Sequence, residues 1–156
     1  PVDRGGKLAA RGRVDETVLA GLLDRPWFAA QPPKSLDRLE FDTTPVGHLS
    51  PQDGAATLTA FTAAGVARAR EHMDVAPARW IICGGGRHNA TLMRELAARL
   101  GVPVEPCDLY GWRGDFVEAE AFAFLAVRSL RDLPLSFPST TGVPQPMRGG
   151  RLFRKS

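Results

Sequence analysis

Apolar residues recur at helical spacing in four stretches of the chain, and a capping residue stands at the start of each one. Asp, Ser and Asn side chains suit these positions because they accept hydrogen bonds from the free N–H groups of a first helical turn. The pattern predicts helices over residues 14–23, 51–73, 90–100 and 115–131. Their N-cap candidates are Asp15, Ser50, Asn89 and Asp115.

Two of these helices carry further signals. After Ser50, Pro51 occupies the first helical position and Asp53 is placed to reach back as in a capping box. This helix places Leu58, Phe61 and Val66 on an apolar face beside small residues, which favours close packing against a sheet. Gly101 is predicted to end the third helix.

Two short apolar runs predict strands. The run 80–83 is continuously apolar and ends in three glycines, which is typical of a buried parallel strand that enters a tight turn. The run 102–105 is the second. The order helix, strand, glycine turn, helix, strand predicts a crossover unit of an α/β fold.

Composition narrows the class of protein. A chain of 156 residues with 44% hydrophobic residues is long and apolar enough for one globular domain. No apolar run approaches the roughly 20 residues of a membrane helix, and two widely separated cysteines indicate neither a zinc site nor a disulfide framework. We therefore expect a soluble protein of the reducing cytoplasm, with no membrane partner.

The charge gives only a weak nucleic-acid signal. The net charge is +3, and the basic residues are dispersed except for a terminal cluster of Arg148, Arg151, Arg154 and Lys155. Such a cluster is more often a solvated terminus, so no nucleic-acid partner is expected. The sequence also begins at Pro1 without a methionine, so it is interpreted as an excerpt of a longer protein.

The most informative stretch for chemistry is Gly84, Gly85 and Gly86, between a strand and a helix. Glycines let a ligand approach the backbone, and the helix N-terminus offers N–H groups to it. A tight turn without a ligand explains the glycines equally well. The stretch also nearly matches G-x-G-x-x-G, with Asn89 at the third glycine and with Glu105 and Asp108 near a ribose-binding position, which leaves a dinucleotide-binding module as an alternative.

Other candidates are weaker when taken singly. Asp115 and Glu118 are three residues apart, so both carboxylates could face one cleft for proton transfer or sugar binding, although acids in a first turn also simply suit the helix dipole. Lys34 could meet a phosphate or a sugar but is more often solvated. The three histidines share no metal-binding spacing, so no metal ligand is predicted.

Taken together, three blocks resemble the anhydro-N-acetylmuramic acid kinase family of the actin-like ATPase superfamily. The blocks are Pro32-Pro33-Lys34-Ser35 with Arg38 and Phe41, Cys83-Gly84-Gly85-Gly86-Arg87-His88-Asn89 with Leu92-Met93, and Gly114-Asp115-Phe116-Val117-Glu118-Ala119 with Ala121-Phe122-Ala123 and Leu125-Ala126. The tail also resembles this family, from Leu133-Pro134 through Ser136-Phe137-Pro138, Thr140-Thr141-Gly142 and Gly149-Gly150-Arg151.

The resemblance implies a reaction. ATP and water would convert 1,6-anhydro-N-acetylmuramic acid to N-acetylmuramic acid 6-phosphate and ADP in cytoplasmic peptidoglycan recycling, with Mg²⁺ neutralising charge on the transferred phosphoryl group. It also implies that Gly84, Gly85, Gly86 and Asn89 bind the adenosine. Glu118, with Asp115 as a helper, would bind the amino sugar.

The resemblance further implies an architecture. The chain is expected to be the C-terminal half of a two-domain sugar kinase with a ribonuclease-H-like (actin-like ATPase) fold, parallel strands and flanking helices, and the enzyme is expected to be a homodimer. The phosphate-binding loops and the catalytic aspartate would lie upstream, so the chain alone would be inactive. Leu36-Asp37 stands where similar members often carry Thr-Gly. The rival functions are the dinucleotide-binding module of an oxidoreductase and a non-catalytic interaction domain.

Overall fold

The computed structural model describes residues 2–37 and 40–153 and has a mixed α/β architecture. The helices are α1 (Glu16–Leu23), α2 (Pro26–Ala29), α3 (Pro51–Arg68), α4 (Ala90–Leu100), α5 (Val117–Leu130) and α6 (Pro138–Thr141), and the strands are β1 (Trp80–Ile82) and β2 (Val104–Pro106). Short 3-10 turns connect them at Arg4–Gly6, Ala9–Arg11, Thr44–Val46, Ala69–His72, Gly85–His88 and Cys107–Tyr110.

Three of the four predicted helix starts are confirmed by side-chain caps. Asp15 accepts a hydrogen bond from the Val18 N–H at the start of α1, and Ser50 and Asn89 cap α3 and α4 in the same way. Asp53 does not complete a capping box, because its carboxylate accepts from the Ser50 hydroxyl and from the Arg13 N–H instead. Sequence-local polar chemistry therefore sets where these helices begin.

The core lies on the two sides of α3. Leu19 of α1 packs against Ala60 and Ala64 on one side, and Leu96 and Leu100 of α4 pack against Ala63 on the other. The predicted face of Leu58, Phe61 and Val66 is only half-buried. The buried side chains of α3 are instead those of small residues, which let neighbouring helices approach α3 closely from both sides. They are Ala56, Thr57, Ala60, Ala63 and Ala64.

The two strands form a parallel sheet, with Trp80 opposite Val104 and Ile82 opposite Pro106. The second strand begins at Val104, two residues later than predicted. Just before it, the Pro103 carbonyl accepts a hydrogen bond from the Trp80 N–H. The first strand was predicted to be buried, but both strands are half-buried, since the sheet has only two strands within the described residues and each has an open edge.

The same register places the two cysteines at one end of the sheet. Cys83 and Cys107 are 24 residues apart in sequence but follow directly after the paired residues Ile82 and Pro106. Both thiols are free. Cys107 is completely buried, whereas Cys83 is partly exposed.

The C-terminal region differs from the rest. The last predicted helix is present as α5, but within the described chain none of its residues is buried. Beyond α5, the tail holds α6 and an antiparallel bridge between Ser136 and Met147. Of the basic cluster, Arg148 pairs with Asp132, while Arg154 and Lys155 lie outside the described residues, as does Arg38 of the first resemblance block.

No helix in 2–37 or 40–153 is long and apolar enough to cross a membrane.

Candidate functional site

The glycine turn after β1 presents its backbone to open space. Gly84 has a φ of 71°, a conformation that only glycine adopts readily. Its N–H donates to the Gly114 carbonyl at 3.0 Å. Apart from chain neighbours, no described atom lies within 4 Å of the point where a Cβ would stand at Gly84 or Gly85. A ligand can therefore approach this backbone closely, whereas Gly86 faces the side chain of Leu92.

Asn89 ends the turn and starts α4. Its Oδ1 atom accepts the Leu92 N–H at 2.9 Å, and the same oxygen lies only 2.0 Å from where a Cβ would stand on Gly6. The carboxamide oxygen is therefore engaged in capping the helix. The Nδ2 amino group, which can only donate, is the part of the side chain that the cap leaves free for a ligand.

Arg87 lies inside the turn and ties it to the segment before α5. Its side chain is 4% exposed and forms two ion pairs, Nε to Asp108 Oδ2 and Nη1 to Asp115 Oδ1, each at 2.6 Å. Nη2 adds a bond to the second oxygen of Asp115 at 3.0 Å, and Nη1 also donates to the Gly84 carbonyl at 2.9 Å. One buried guanidinium thus joins the glycine turn to both carboxylates.

These ion pairs fix the charge of the site. Hydrogen bonding from Arg87 lowers the pKa of Asp115 to about 2, against the opposing effect of partial burial. The same partner lowers the pKa of Asp108, and the Arg87 pKa is raised in return. Both carboxylates are consequently ionised at neutral pH, so Asp115 is suited to accepting hydrogen bonds and poorly matched to a neutral-pH proton transfer.

Asp115 does not cap α5, contrary to the sequence-based expectation. The N-cap residue is Phe116, which makes no side-chain cap, because the Asp115 carboxylate is directed to Arg87 instead. His88 approaches the same carboxylate at 3.5 Å. Asp115 therefore acts as a link between the turn and the start of α5.

Glu118 lies one turn further on, exposed in the first turn of α5. A cavity of about 370 Å³ beside this turn is lined by Gly111, Trp112, Arg113, Val117 and Glu120. Neither Asp115 nor Glu118 lines this cavity, so within the described residues it does not bring the two acids together.

Lys34 holds its own loop together. Its Nζ atom donates to three backbone carbonyls, those of Trp27, Phe28 and Ala30, at 2.8 to 3.0 Å. The ammonium also lies 4.7 Å from the centre of the Trp27 ring and 3.1 Å from His72 Nε2. These contacts occupy the lysine as an anchor at the end of α2, so the structure gives no ligand-binding role to it.

Sequence reasoning missed Arg87 as a site residue. The signal that could have found it is positional: Arg87 follows β1, and Asp108 follows β2. The carboxyl ends of parallel strands meet at one edge of a sheet, so opposite charges placed there lie close together. In 2–37 and 40–153, no group of three or more His, Cys, Asp and Glu side chains is arranged to hold a metal ion.

Comparison with known proteins gives a consistent result. The family model for anhydro-N-acetylmuramic acid kinase matches residues 1–155. Proteins named anhydro-N-acetylmuramic acid kinase are similar to the chain: that of Caulobacter vibrioides is 60% identical over 96% of the chain and 40% of its own length. That of Rhizobium rhizogenes is 55% identical over 97% and 41%, and that of Rhizorhabdus wittichii is 54% identical over 99% and 42%.

The chain therefore spans about 40% of the length of these relatives. The more specific prediction that it is the C-terminal half of such a kinase is not supported by these matches. The family itself is established, because its model covers almost every residue. The chain belongs to the anhydro-N-acetylmuramic acid kinase family.

Proposed function

We propose that the full-length protein containing this segment phosphorylates 1,6-anhydro-N-acetylmuramic acid with ATP and opens its anhydro ring with water. The products would be N-acetylmuramic acid 6-phosphate and ADP, as part of cytoplasmic peptidoglycan recycling. The observation that carries this proposal is the open glycine turn, which Arg87 joins to the acidic segment that begins α5. Nucleotide contacts and sugar contacts would thereby come from one rigid unit.

The glycine turn would receive the adenosine part of ATP. The open space at Gly84 and Gly85 allows a planar base or a ribose to lie against the backbone. Asn89 would donate from its Nδ2 group while its oxygen caps α4. Gly86, which faces Leu92, would maintain the turn rather than meet the ligand directly.

Glu118 would be the main contact to the sugar. It is exposed, and an ionised carboxylate accepts hydrogen bonds from sugar hydroxyls. Asp115 has both oxygens bonded to Arg87, so it would help by fixing the start of α5 and would have less capacity for the sugar. This divides the two predicted sugar-binding acids into a contacting and a positioning residue.

The remaining chemistry would come from outside the segment. ATP supplies the phosphoryl group, and Mg²⁺ would be held through its phosphates and residues elsewhere in the full-length kinase. The phosphate-binding loops and the aspartate that activates water would lie there too, in a two-domain ribonuclease-H-like enzyme. The segment alone would therefore be inactive. Pairing of the full-length kinase as a homodimer is proposed on the family resemblance alone.

The exposed apolar surface of α5 supports the proposal that this segment packs against other parts of a longer kinase. Phe122, Phe124 and Leu130 are each at least 60% exposed, and the helix carries apolar residues on every side. A helix that is apolar all round is normally buried within a larger protein. The share of the relatives that the chain leaves unmatched, about 60%, is large enough to supply the covering surface.

The test is ADP release by the full-length protein with and without 1,6-anhydro-N-acetylmuramic acid. Wild type is compared with Glu118→Ala and with Glu120→Ala, a control on the same helical turn whose carboxylate pairs with Arg113. Release should depend on the sugar and fall about 100-fold or more in Glu118→Ala, while Glu120→Ala stays near wild type. A folded wild type without sugar-dependent release would contradict the proposal, and tight NAD binding with indifference to ATP would favour a dinucleotide-binding module.

A further inference from the structure

Cys83 and Cys107 occupy neighbouring positions at one end of the sheet. Ile82 pairs with Pro106 in the parallel register, so the next residue on each strand is a cysteine. Adjacent strands lie about 4.8 Å apart, and disulfides join residues whose Cα atoms are roughly 4.4–6.8 Å apart. Two residues that directly follow paired strand positions are therefore expected to lie within reach of a disulfide, although both thiols are free.

The Cys83 thiol also influences the protonation of the Cys107 thiol. Burial and a side-chain hydrogen bond with Cys83 raise the pKa of the Cys107 thiol. Cys107 is completely buried, whereas Cys83 is only partly buried. A small oxidant arriving from solvent meets Cys83 first, and Cys107 stands directly behind it as the second thiol of the pair.

Both cysteines adjoin the proposed nucleotide site. Cys83 directly precedes Gly84, and Cys107 directly precedes Asp108, which binds Arg87. Cys107 Sγ lies 2.7 Å from where a Cβ would stand on Gly114, whose carbonyl accepts the Gly84 N–H. A movement of either sulfur is therefore transmitted to the backbone that forms the glycine turn.

We propose that Cys83 and Cys107 form a reversible disulfide when the protein meets a peroxide, and that the disulfide weakens nucleotide binding at the adjoining glycine turn. The second half of this inference rests on the proposed function. A covalent bond draws the sulfurs closer than a contact between two thiols, and the surrounding packing leaves Cys107 little room, so the shift falls on the turn beside Cys83. Transient, redox-sensing disulfides of this kind are the type found in reducing compartments.

The chemistry balances with hydrogen peroxide as the oxidant. The Cys83 sulfur attacks one peroxide oxygen and the O–O bond breaks, which leaves a sulfenic acid on Cys83 and releases one water. The Cys107 sulfur then attacks the Cys83 sulfur, the S–O bond breaks, and the hydroxyl leaves as a second water with the remaining thiol proton. Two thiols are oxidised by two electrons and one peroxide is reduced; a small dithiol reverses the bond by exchange.

The experiment uses the full-length protein treated with hydrogen peroxide, followed by alkylation of free thiols and peptide mapping by mass spectrometry. We expect a peptide pair linked through Cys83 and Cys107 that dithiothreitol separates. Calorimetric titration with ATP should then show binding weakened by at least about fivefold in the oxidised protein and restored by dithiothreitol.

The matched variant is Cys83→Ser, which changes the half-buried cysteine and leaves the buried one in place. Its ATP affinity should match that of reduced wild type and should not respond to peroxide. The proposal is overturned if both cysteines of the folded wild type are still alkylated after peroxide treatment. It is also overturned if the protein with the Cys83–Cys107 disulfide binds ATP as tightly as the reduced form. If the reduced protein binds no ATP at all, the proposed function fails, while the mapping still decides whether the disulfide forms.

Discussion

α3 and α5 are the two longest helices of the described chain. Other elements pack against α3, whereas α5 is exposed to solvent. α3 buries Ala60 and Ala63 completely between α1 and α4. α5 has no buried residue in the described structure, although Phe122 and Phe124 lie on it. The helix made of small residues is thus the centre of the core, and the helix made of large apolar residues is on the surface.

The difference between α3 and α5 also separates the two sides of the candidate site, which are held in place by different contacts. Its glycine side continues directly from β1 into α4, which packs against α3. Its acidic side is held through Arg87 and the hydrogen bond between Gly84 and Gly114. One half of the site therefore rests on a packed core, and the other half is held by one buried arginine and one backbone hydrogen bond.

The largest expected effect tests whether α5 is covered in the full-length protein. Phe124→Ala should lower the free energy of unfolding by about 3–5 kcal/mol if α5 is buried there. Phe28→Ala is the reference, because Phe28 is only 5% exposed within this segment. Chemical denaturation measures both, and a change below about 1 kcal/mol for Phe124→Ala would mean that α5 stays on the surface.

The next effect tests the close packing around α3. Ala63→Leu adds three carbons at a position with no exposed surface, so it should lower the free energy of unfolding by about 1–3 kcal/mol through overpacking. Thr62→Leu, an exposed neighbour on the same helix, is the control and should change it by less than about 0.5 kcal/mol. Equal effects at both positions would show that α3 is not covered on both sides.

Arg87 is expected to affect function more than stability. Because Asp108 and Asp115 are each about half exposed, water compensates part of the lost pairing, and Arg87→Ala should lower the free energy of unfolding by about 1–2 kcal/mol. The Michaelis constants for ATP and for the sugar should both rise, since the turn and α5 lose their common link. Arg113→Ala, which removes an exposed pair with Glu120, should leave both constants unchanged.

Arg87→Lys sharpens this test. A lysine restores the positive charge but cannot reach two carboxylates with a planar fork. It should recover stability while leaving at least one of the two Michaelis constants raised. Full recovery of both constants would show that charge alone, without the forked geometry, positions the site.

The smallest effect is the dependence on pH. The pKa of Asp115 is about 2 in the folded protein and about 3.9 in an unfolded chain. Its contribution to stability is therefore complete only above about pH 5 and is lost as the pH falls through 2. The difference in unfolding midpoint between wild type and Asp115→Asn should be largest near neutral pH and shrink as the pH falls below about 4, and it should be small because more than half of the side chain is exposed.

Local sequence signals predicted the parts of the fold that depend on neighbours along the chain. Asp15, Ser50 and Asn89 were found as caps because a cap needs only the next three residues. The glycine turn between β1 and α4 and the two strands of the crossover unit followed from the same kind of pattern.

The parts that failed depend on residues distant in sequence. Asp115 was predicted to cap α5, but its partner Arg87 lies 28 positions earlier. That Cys83 and Cys107 are neighbours depends on the strand register, which the sequence alone does not specify. The predicted last helix forms as α5, but no residue of it is buried in the described structure, and local spacing alone does not specify what would pack against it.

The most direct test of the central claim is the affinity of the full-length protein for ATP after Gly85→Val. A side chain at Gly85 meets no described atom within 4 Å, and its φ does not require glycine, so the variant should fold with an unchanged unfolding midpoint while filling the space proposed for adenosine. Gly21→Val on α1, where the space is equally open, is the control. If the turn binds the nucleotide, ATP binding weakens at least about tenfold in Gly85→Val alone, with the Michaelis constant for the sugar unchanged; unchanged ATP affinity in a folded Gly85→Val protein would contradict the account.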